Sequence, residues 1–200
     1  MRLGTAETLA FVLRWLPPAA SVLEVGCGDG ELAEELQKRG FRVIGIDSDP
    51  EAVDAARRRS VDARLASWPG QSGGEPPHSE RFDAILFTRS LHHIDPLDAA
   101  VVRARETGDM ILIEDFALTE VSESFVRWLR GKVAEWEAHD VHPFASIRSE
   151  VAKHFRITHQ EQVPYCYRYF DAPDDLAIYK EEKSRGELLG RRLVGTAGVA

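Results

Sequence analysis

The sequence predicts an α/β fold in which a parallel sheet is covered by helices on both faces. Short apolar runs alternate with helical patterns over the first 116 residues. Strands joined through helices lie parallel and are buried on both faces, so they form nearly continuous apolar runs. The 200 residues, of which 44% are hydrophobic and 29% charged, fit one ordinary domain with its own core.

The elements of the first half follow from local signals. Thr5 is expected to cap a first helix that Pro17 and Pro18 stop. Gly40 is expected to close a second helix, and Pro50 suits the first turn of a third. We predict strands at 21–25, 42–46, 62–66, 82–87 and 110–113, and helices at 5–16, 30–39, 50–60 and 95–106. A polar loop at 69–80 interrupts this pattern.

After residue 120 the pattern changes. Apolar residues at helical spacing predict one long helix over 120–138, and shorter helices are expected at 146–154 and 181–189. Extended segments are predicted at 155–169 and 191–196. Tyr165, Tyr167 and Tyr169 alternate, so on a strand they share one face. With Trp136 they form either an aromatic wall of a site or part of the core.

A loop with three alternating glycines follows the first predicted strand. Gly26, Gly28 and Gly30 are separated by single residues, and a helical pattern begins directly after them. Glycine lets a ligand approach the backbone where any Cβ would collide with it. The second strand leads into Asp47, 23 positions after Glu24, and an acid there is placed to bind the two hydroxyls of a ribose. A nucleoside-bearing cofactor is therefore the first hypothesis.

The spacing and charge of this loop favour one class of cofactor. Dinucleotide folds use Gly-x-Gly-x-x-Gly, with a helix N-terminus facing a pyrophosphate. Here the glycines alternate instead, and Glu24 and Asp29 add two carboxylates that repel a phosphate. A ligand with a cationic end is favoured, and S-adenosylmethionine carries a sulfonium and an ammonium beside its adenosine.

The pattern Glu24-x-Gly26-x-Gly28-x-Gly30 resembles the first motif of the class I (Rossmann-like) S-adenosylmethionine-dependent methyltransferases. Residues 82–94, with an aspartate early in an apolar strand and a Leu-His-His turn, resemble the fourth motif. The resemblance implies a three-layer Rossmann-like sandwich with a mostly parallel seven-stranded sheet and an antiparallel C-terminal edge hairpin. It also implies a single domain over 1–200, with an N-terminal helix in 1–20, a cofactor-binding core in 21–116 and substrate-covering helices and C-terminal strands in 117–200.

The resemblance carries cofactor roles onto several matching positions. Thr88 and Arg89 correspond to the end of the fourth strand, where relatives contact the methionine part of the cofactor. After strand three the acid that many relatives carry is missing; Ser67 is left to donate a hydrogen bond, and Trp68 either covers the adenine or packs in the core. The expected cofactor-binding residues are Glu24, Gly26, Cys27, Gly28, Gly30, Asp47, Ser48, Ser67, Trp68, Thr88 and Arg89.

Two adjacent histidines are the candidate catalytic residues. His92 and His93 titrate near neutral pH, so either can take a proton from the nucleophile of an acceptor, although structural roles in the turn explain them as well. No metal is expected, because no third and fourth ligand is evident. Glu114 and Asp115, expected to follow strand five, are suited to position a substrate, to orient a histidine or to cap the next helix.

Charge and composition limit the partners. A net charge of −8 argues against binding a nucleic-acid backbone, so a small-molecule acceptor is favoured. No apolar run approaches the length that spans a bilayer, and two cysteines suit a reducing compartment, so a cytoplasmic protein without a membrane partner is expected. Three alternatives stay open at this point: a nicotinamide-dependent oxidoreductase, a non-catalytic cofactor- or partner-binding module, and aminopropyl transfer.

Overall fold

The computed structural model describes residues 1–70, 80–133 and 141–198. In this part of the chain one sheet contains seven strands. They are β1 (Ser21–Val25), β2 (Arg42–Asp47), β3 (Asp62–Leu65), β4 (Phe82–Thr88), β5 (Gly108–Phe116), β6 (Arg156–Val163) and β7 (Gly190–Thr196).

Helices connect and cover these strands. They are α1 (Leu3–Leu13), α2 (Glu31–Gln37), α3 (Pro50–Arg58), α4 (Leu97–Thr107), α5 (Glu123–Lys132), α6 (Phe144–His154) and α7 (Asp174–Ser184). Short 3₁₀ turns lie at Leu91–His93, Leu118–Glu120 and Cys166–Tyr169.

The strand order is β3-β2-β1-β4-β5-β7-β6. Strands β1 to β5 pair in parallel, and β7 runs antiparallel between β5 and β6. The direction in which the chain adds strands reverses between β1 and β4, and ligands of open α/β sheets bind at the carboxyl ends of the strands beside such a reversal. The expected three-layer Rossmann-like sandwich with an antiparallel C-terminal pair is confirmed.

Both faces of the central strands of the sheet are buried. Along β4, Ile85 and Phe87 belong to the core beneath α4 and α6, whereas Ala84 and Leu86 belong to the core beneath α1, α2 and α3. Successive strand residues point to opposite faces, so an all-apolar strand is required where helices cover both. A third apolar cluster packs α5 and α7 around the Cys166–Tyr169 turn.

The predictions for the first half agree with the structure to within a few residues, with two corrections. Arg2, and not Thr5, stands at the start of α1, and the Thr5 hydroxyl contacts Glu31 instead. Strand β5 is longer than predicted, so Glu114 and Asp115 lie inside it and do not follow it. Charged residues are typical of a loop, but here both residues pair with β7. The antiparallel pairing with β7 extends β5 to Phe116.

The prediction that Tyr165, Tyr167 and Tyr169 alternate on a strand is wrong. Strand β6 ends at Val163, and the tyrosines lie in and around a 3₁₀ turn. Tyr165 and Tyr167 are buried, while Tyr169 is 44% exposed. The turn forms because the buried carboxylate of Glu182 accepts hydrogen bonds from the Tyr165 and Cys166 amides, at 2.8 and 2.7 Å.

Two helix predictions in the last third also need correction. Helix α5 begins at Glu123, where Ser122 caps it, and its described part ends at Lys132, short of the predicted helix over 120–138. The helix predicted at 181–189 corresponds to α7, which begins earlier, at Asp174, and ends at Ser184. Trp136, predicted for the aromatic wall, lies outside the described residues.

Among the described helices, none has the length and apolar character needed to cross a bilayer.

Candidate functional site

A cavity of about 630 Å³ opens at the carboxyl ends of β1 and β4. Helix α1 and the Cys166–Tyr169 turn border it on the other side. Six of the residues expected to bind a cofactor line this cavity. They are Glu24, Gly26, Cys27, Gly28, Thr88 and Arg89.

The glycine loop is built from left-handed backbone. Gly26, Gly28 and Gly30 have φ values of +76°, +53° and +75°. A Cβ on Gly26 would lie 2.5 Å from Cβ of Ser90, and a Cβ on Gly30 would lie 2.7 Å from that of Ala56. A Cβ on Gly28 would meet nothing within 4 Å. Gly26 and Gly30 are therefore required by packing, while the space over Gly28 is open on the cavity side.

Glu24 is a strongly perturbed group of the cavity. Its side chain is buried at the end of β1, and Oε1 receives a 3.4 Å hydrogen bond from the Thr88 hydroxyl. Its other oxygen, Oε2, is buried and receives no hydrogen bond from any described residue. Burial raises the pKa of Glu24 to about 8, and the nearby charges of Asp29 and Asp47 add to the effect. A buried carboxyl in this state gains a partner when a cation enters the cavity.

Asp47 lies at the end of β2, beside the glycine loop. Its carboxylate accepts hydrogen bonds from the amides of Gly28, at 2.9 Å, and Asp49, at 3.0 Å. These bonds fix its orientation next to the open face of Gly28. Ser48, the next residue, is exposed.

Ser67 and Trp68 lie away from the lining of the cavity. Ser67 is half-buried after β3. The indole of Trp68 is buried, donates a 3.0 Å hydrogen bond to the Ala100 carbonyl of α4, and meets Phe87 edge to face. This geometry corresponds to the second interpretation of Trp68, a core aromatic beside a turn. The hydrogen bond also supplies the partner that a buried indole needs.

The two histidines occupy different environments. His92 is 5% exposed, and its Nδ1 lies 2.6 Å from Oδ1 of the fully buried Asp115, a contact of ion-pair length that is not aligned as a hydrogen bond. His93 is exposed, and its ring lies 4.0 Å from that of His92. Neither histidine lines the cavity. Asp115 thus lies against the ring of His92, and its expected role in orienting a histidine stays a prediction.

A buried ion cluster beside the cavity has no counterpart in the sequence predictions. Glu114, on β5, is fully buried and contacts Arg168, Arg192 and Thr8. Desolvation acts to raise the pKa of Glu114, but the two guanidinium groups hold it below its usual value. The cluster joins α1, β5, β7 and the Cys166–Tyr169 turn. No local pattern marks these partners, which are 54 to 106 positions from Glu114.

A second, more exposed cluster connects α1 to the start of α2. Arg2 contacts both oxygens of Asp29 at 2.8 Å and Oε2 of Glu31 at 2.7 Å. The Asp29 charge, which the sequence suggests would repel a phosphate, is thus partly compensated in the fold. Glu24, by contrast, forms no salt bridge with any described residue. In the part of the chain that the structure describes, no three His, Cys, Asp or Glu side chains converge in a way that would hold a metal.

Comparisons with known proteins agree with this architecture. A family model described as a methyltransferase domain matches residues 1–157. The chain is 39% identical over 94 residues to a ubiquinone biosynthesis O-methyltransferase of Xanthomonas campestris, over 44% of this chain and 37% of that protein. It is 30% identical over 128 residues to the protein of the same name from Rhodopseudomonas palustris, over 58% of this chain and 51% of the relative. The chain thus spans about half the length of these curated relatives, or less.

A solved structure is similar over nearly the whole chain. It is the magnesium protoporphyrin IX methyltransferase from Synechocystis with bound S-adenosylhomocysteine (SAH), with a TM-score of 0.65 and 17% identity, over 98% of this chain and 84% of that one. At this identity the similarity shows the fold.

Proposed function

Because the chain belongs to the methyltransferase-domain family, we propose that it binds S-adenosylmethionine in the cavity at the ends of β1 and β4. We propose further that it transfers the methyl group to an oxygen, nitrogen or carbon nucleophile of a small-molecule acceptor. The named O-methyltransferase relatives support this reaction class, and the net charge of −8 favours a small acceptor over a nucleic acid. The cytoplasmic location expected from the sequence belongs to the same proposal.

The single observation that carries the proposal is the state of Glu24. A buried carboxyl with one oxygen unpartnered among the described residues, and a pKa raised to about 8, lies beside an open glycine loop. Such a carboxyl favours a cationic ligand, because ionisation in the buried site is costly until a cation compensates it. A pyrophosphate would add repulsion at the same place.

The chain's residues divide the binding between them. The open backbone at Gly28 leaves room for the ligand to lie against the loop, and Asp47, held by the Gly28 amide, presents its carboxylate to ribose hydroxyls. Glu24 and Thr88 face the amino-acid end. Ser48, Ser67 and Trp68 stay predictions for the adenosine end.

The cofactor supplies a methyl group already activated by the positive sulfur. The protein therefore has to align the nucleophile with the methyl carbon and to exclude water. A base is needed only when the nucleophile arrives protonated. His92, oriented by Asp115, and the exposed His93 are the candidates for removing that proton.

The binding proposal is tested by titration calorimetry with S-adenosylmethionine, SAH and NAD. We expect both sulfur nucleosides to bind and NAD not to. Conversion of S-adenosylmethionine into SAH is then followed across pools of small metabolites. Binding without turnover in any pool would favour the non-catalytic module, and tight binding of NAD alone would overturn the proposal.

The base assignment has a separate test. We expect the alanine variant of the histidine that acts as the base, His92→Ala or His93→Ala, to reduce turnover at least tenfold. Its SAH affinity should change little. The reason is that general-base catalysis contributes about 10²–10⁴-fold to the reaction rate. Asp115→Asn is the companion variant, expected to lower turnover only if His92 is the base. Equal losses of turnover and SAH affinity would assign the histidine a structural role.

A further inference from the structure

Arg89, on the wall of the cavity, is a cation that has no salt-bridge partner among the described residues. It lines the cavity directly after Thr88, and its side chain is exposed. Among the described residues no carboxylate lies within salt-bridge distance of its guanidinium. Two acids that share the cavity, Asp171 and Asp175, form no salt bridge with it either.

The other two arginines that line the cavity are already paired. Arg2 is paired with Asp29 and Glu31. Arg168 is paired with the buried Glu114. Arg89 therefore differs from both of these arginines, because its charge is available to a ligand.

The backbone at Arg89 is held in an unfavourable conformation. Its φ is +61°, in the left-handed region, which costs a non-glycine residue about 1–2 kcal/mol. The Arg89 amide donates a 2.8 Å hydrogen bond to the Glu114 carbonyl of β5, which holds this conformation. Strain of this kind is found where a side chain must be held in one direction, and it clusters at functional sites.

Two tyrosines of the C-terminal third lie within reach of the charge of Arg89. Burial raises the pKa of Tyr165 and of Tyr169, and the positive charge of Arg89 partly offsets that effect at both hydroxyls. Its charge therefore lies close to two aromatic residues of the C-terminal third.

We propose that Arg89 is a receptor for a carboxylate carried by the methyl acceptor, so that the substrate class is an anionic small molecule. This inference rests on the proposed function. An arginine fork matches a carboxylate in two parallel, charge-assisted hydrogen bonds. The one competing source of the same chemistry is the carboxylate of the cofactor's own amino acid.

The test uses the full chain labelled with ¹³C and ¹⁵N in arginine and saturated with SAH. The Arg89 signals are assigned by their loss in Arg89→Gln. Benzoate is titrated to about 50 mM, in the range expected for a fragment of millimolar affinity, and benzamide is the uncharged control of the same shape. We expect a saturable shift of the Arg89 Cζ and Nε signals with benzoate and none with benzamide.

Variants separate recognition from folding. We expect Arg89→Gln and Arg89→Gly to weaken benzoate binding, read from the signals of neighbouring arginines, by about tenfold or more, and Arg89→Lys to recover part of it. Arg89→Gly also relieves the left-handed strain, and urea denaturation of this variant checks that a loss of binding does not come from a destabilised fold. Arg58→Gln, at the exposed end of α3, makes the same charge change away from the cavity and should leave binding unchanged.

The outcomes keep the two proposals apart. No saturable shift, or an equal shift with benzamide, overturns the role of Arg89 while SAH binding still supports the proposed function. Failure of SAH to bind at all overturns the proposed function. A third result assigns Arg89 to the cofactor: Arg89→Gln weakens the binding of SAH tenfold but leaves the binding of decarboxylated SAH unchanged. That result overturns the acceptor proposal.

Discussion

The region of β1 to β5 (residues 21–70 and 80–116, here the core) and the C-terminal third (residues 117–133 and 141–198) are stabilised by different kinds of interaction. In the core, parallel strands of apolar residues pair in regular register, and Gly26 and Gly30 of the glycine loop pack where a Cβ does not fit. In the C-terminal third, buried charged side chains join elements that are distant in sequence. Glu182 accepts hydrogen bonds from three backbone amides, those of Tyr165, Cys166 and Leu189.

This difference has a functional consequence. The core presents a backbone surface, which suits a ligand of fixed shape such as a nucleoside. The C-terminal third presents aromatic and charged side chains around the same cavity, and side chains change more easily between relatives than a backbone does. We therefore expect cofactor binding to depend on the core and acceptor choice to depend on the side chains facing it from the C-terminal third and from Arg89.

The largest expected effect comes from breaking the buried cluster that joins the two regions. Glu114→Ala leaves Arg168 and Arg192 buried without their carboxylate, which should lower the free energy of unfolding by about 3–5 kcal/mol. Urea denaturation followed by circular dichroism measures it.

The matched control for this cluster is Glu161→Ala. Glu161 also contacts Arg192, at 3.6 Å, but its side chain is 25% exposed. We expect a loss of about 1 kcal/mol or less there. Equal losses for the two variants would show that the cluster is no more important than a surface ion pair.

The next largest effect tests the glycines of the core. A Cβ in Gly30→Ala would meet Cα of Ala56 at 2.9 Å in addition to its Cβ, and φ is +75°, so we expect a loss of about 2–4 kcal/mol in unfolding free energy. Gly28→Ala, with φ +53° and open space around the new Cβ, should lose only about 1 kcal/mol.

The two glycine variants should reverse their order in SAH binding. Gly28→Ala places a methyl group where the ligand is proposed to lie, so its affinity should fall at least tenfold, as calorimetry would show, whereas folded Gly30→Ala should bind more nearly normally. Unchanged affinity in Gly28→Ala would place the ligand away from the loop.

These variants also show why the sequence predicts one region better than the other. The glycine spacing, the apolar strand at 21–25 and the acid at position 47 are local signals, and the structure brings Gly28 and Asp47 into hydrogen-bond contact. The turn at Cys166–Tyr169 depends on Glu182, 16 residues after Cys166, so alternation of the tyrosines predicts a strand there wrongly. The role of Glu114 depends on partners still farther away, and the burial of Trp68 depends on α4.

An intermediate effect comes from Glu24 and depends on pH. Its pKa is raised from 4.5 to about 8, so the folded protein holds this proton more tightly than the unfolded chain. The stability that this provides is fully present below pH 4.5 and is lost as the pH rises toward 8. Glu24→Gln removes this dependence, so its stability relative to the wild type should increase by about 1–3 kcal/mol between pH 5 and 8.

Urea titrations across that pH range test the Glu24 prediction, and parallel stability curves for the two proteins would contradict it. The same variant should bind S-adenosylmethionine more weakly than the wild type at pH 8, where the ionised carboxylate faces the cation. Stability and affinity thus change in opposite directions, as expected for a group that is costly to bury until its ligand arrives.

The smallest effect is expected at Arg2, and it isolates the contribution of burial. Arg2 binds Glu31 much as Arg192 binds Glu114, but the Arg2 side chain is 64% exposed and that of Arg192 only 7%. Arg2→Ala should therefore lose about 0–1 kcal/mol in unfolding free energy, and less in high salt.

The contribution of this pair also depends on pH. Desolvation acts to raise the pKa of Glu31, but hydrogen bonds from Thr5 and Arg2 lower it to about 2. The stability from this pair is therefore present above pH 4.5 and lost as the pH falls toward 2, so the variant and the wild type should converge in acid. A loss as large as that of Glu114→Ala, unchanged by salt, would mean that exposure does not distinguish the two clusters and that α1 is held as firmly by its first residues as by its buried face.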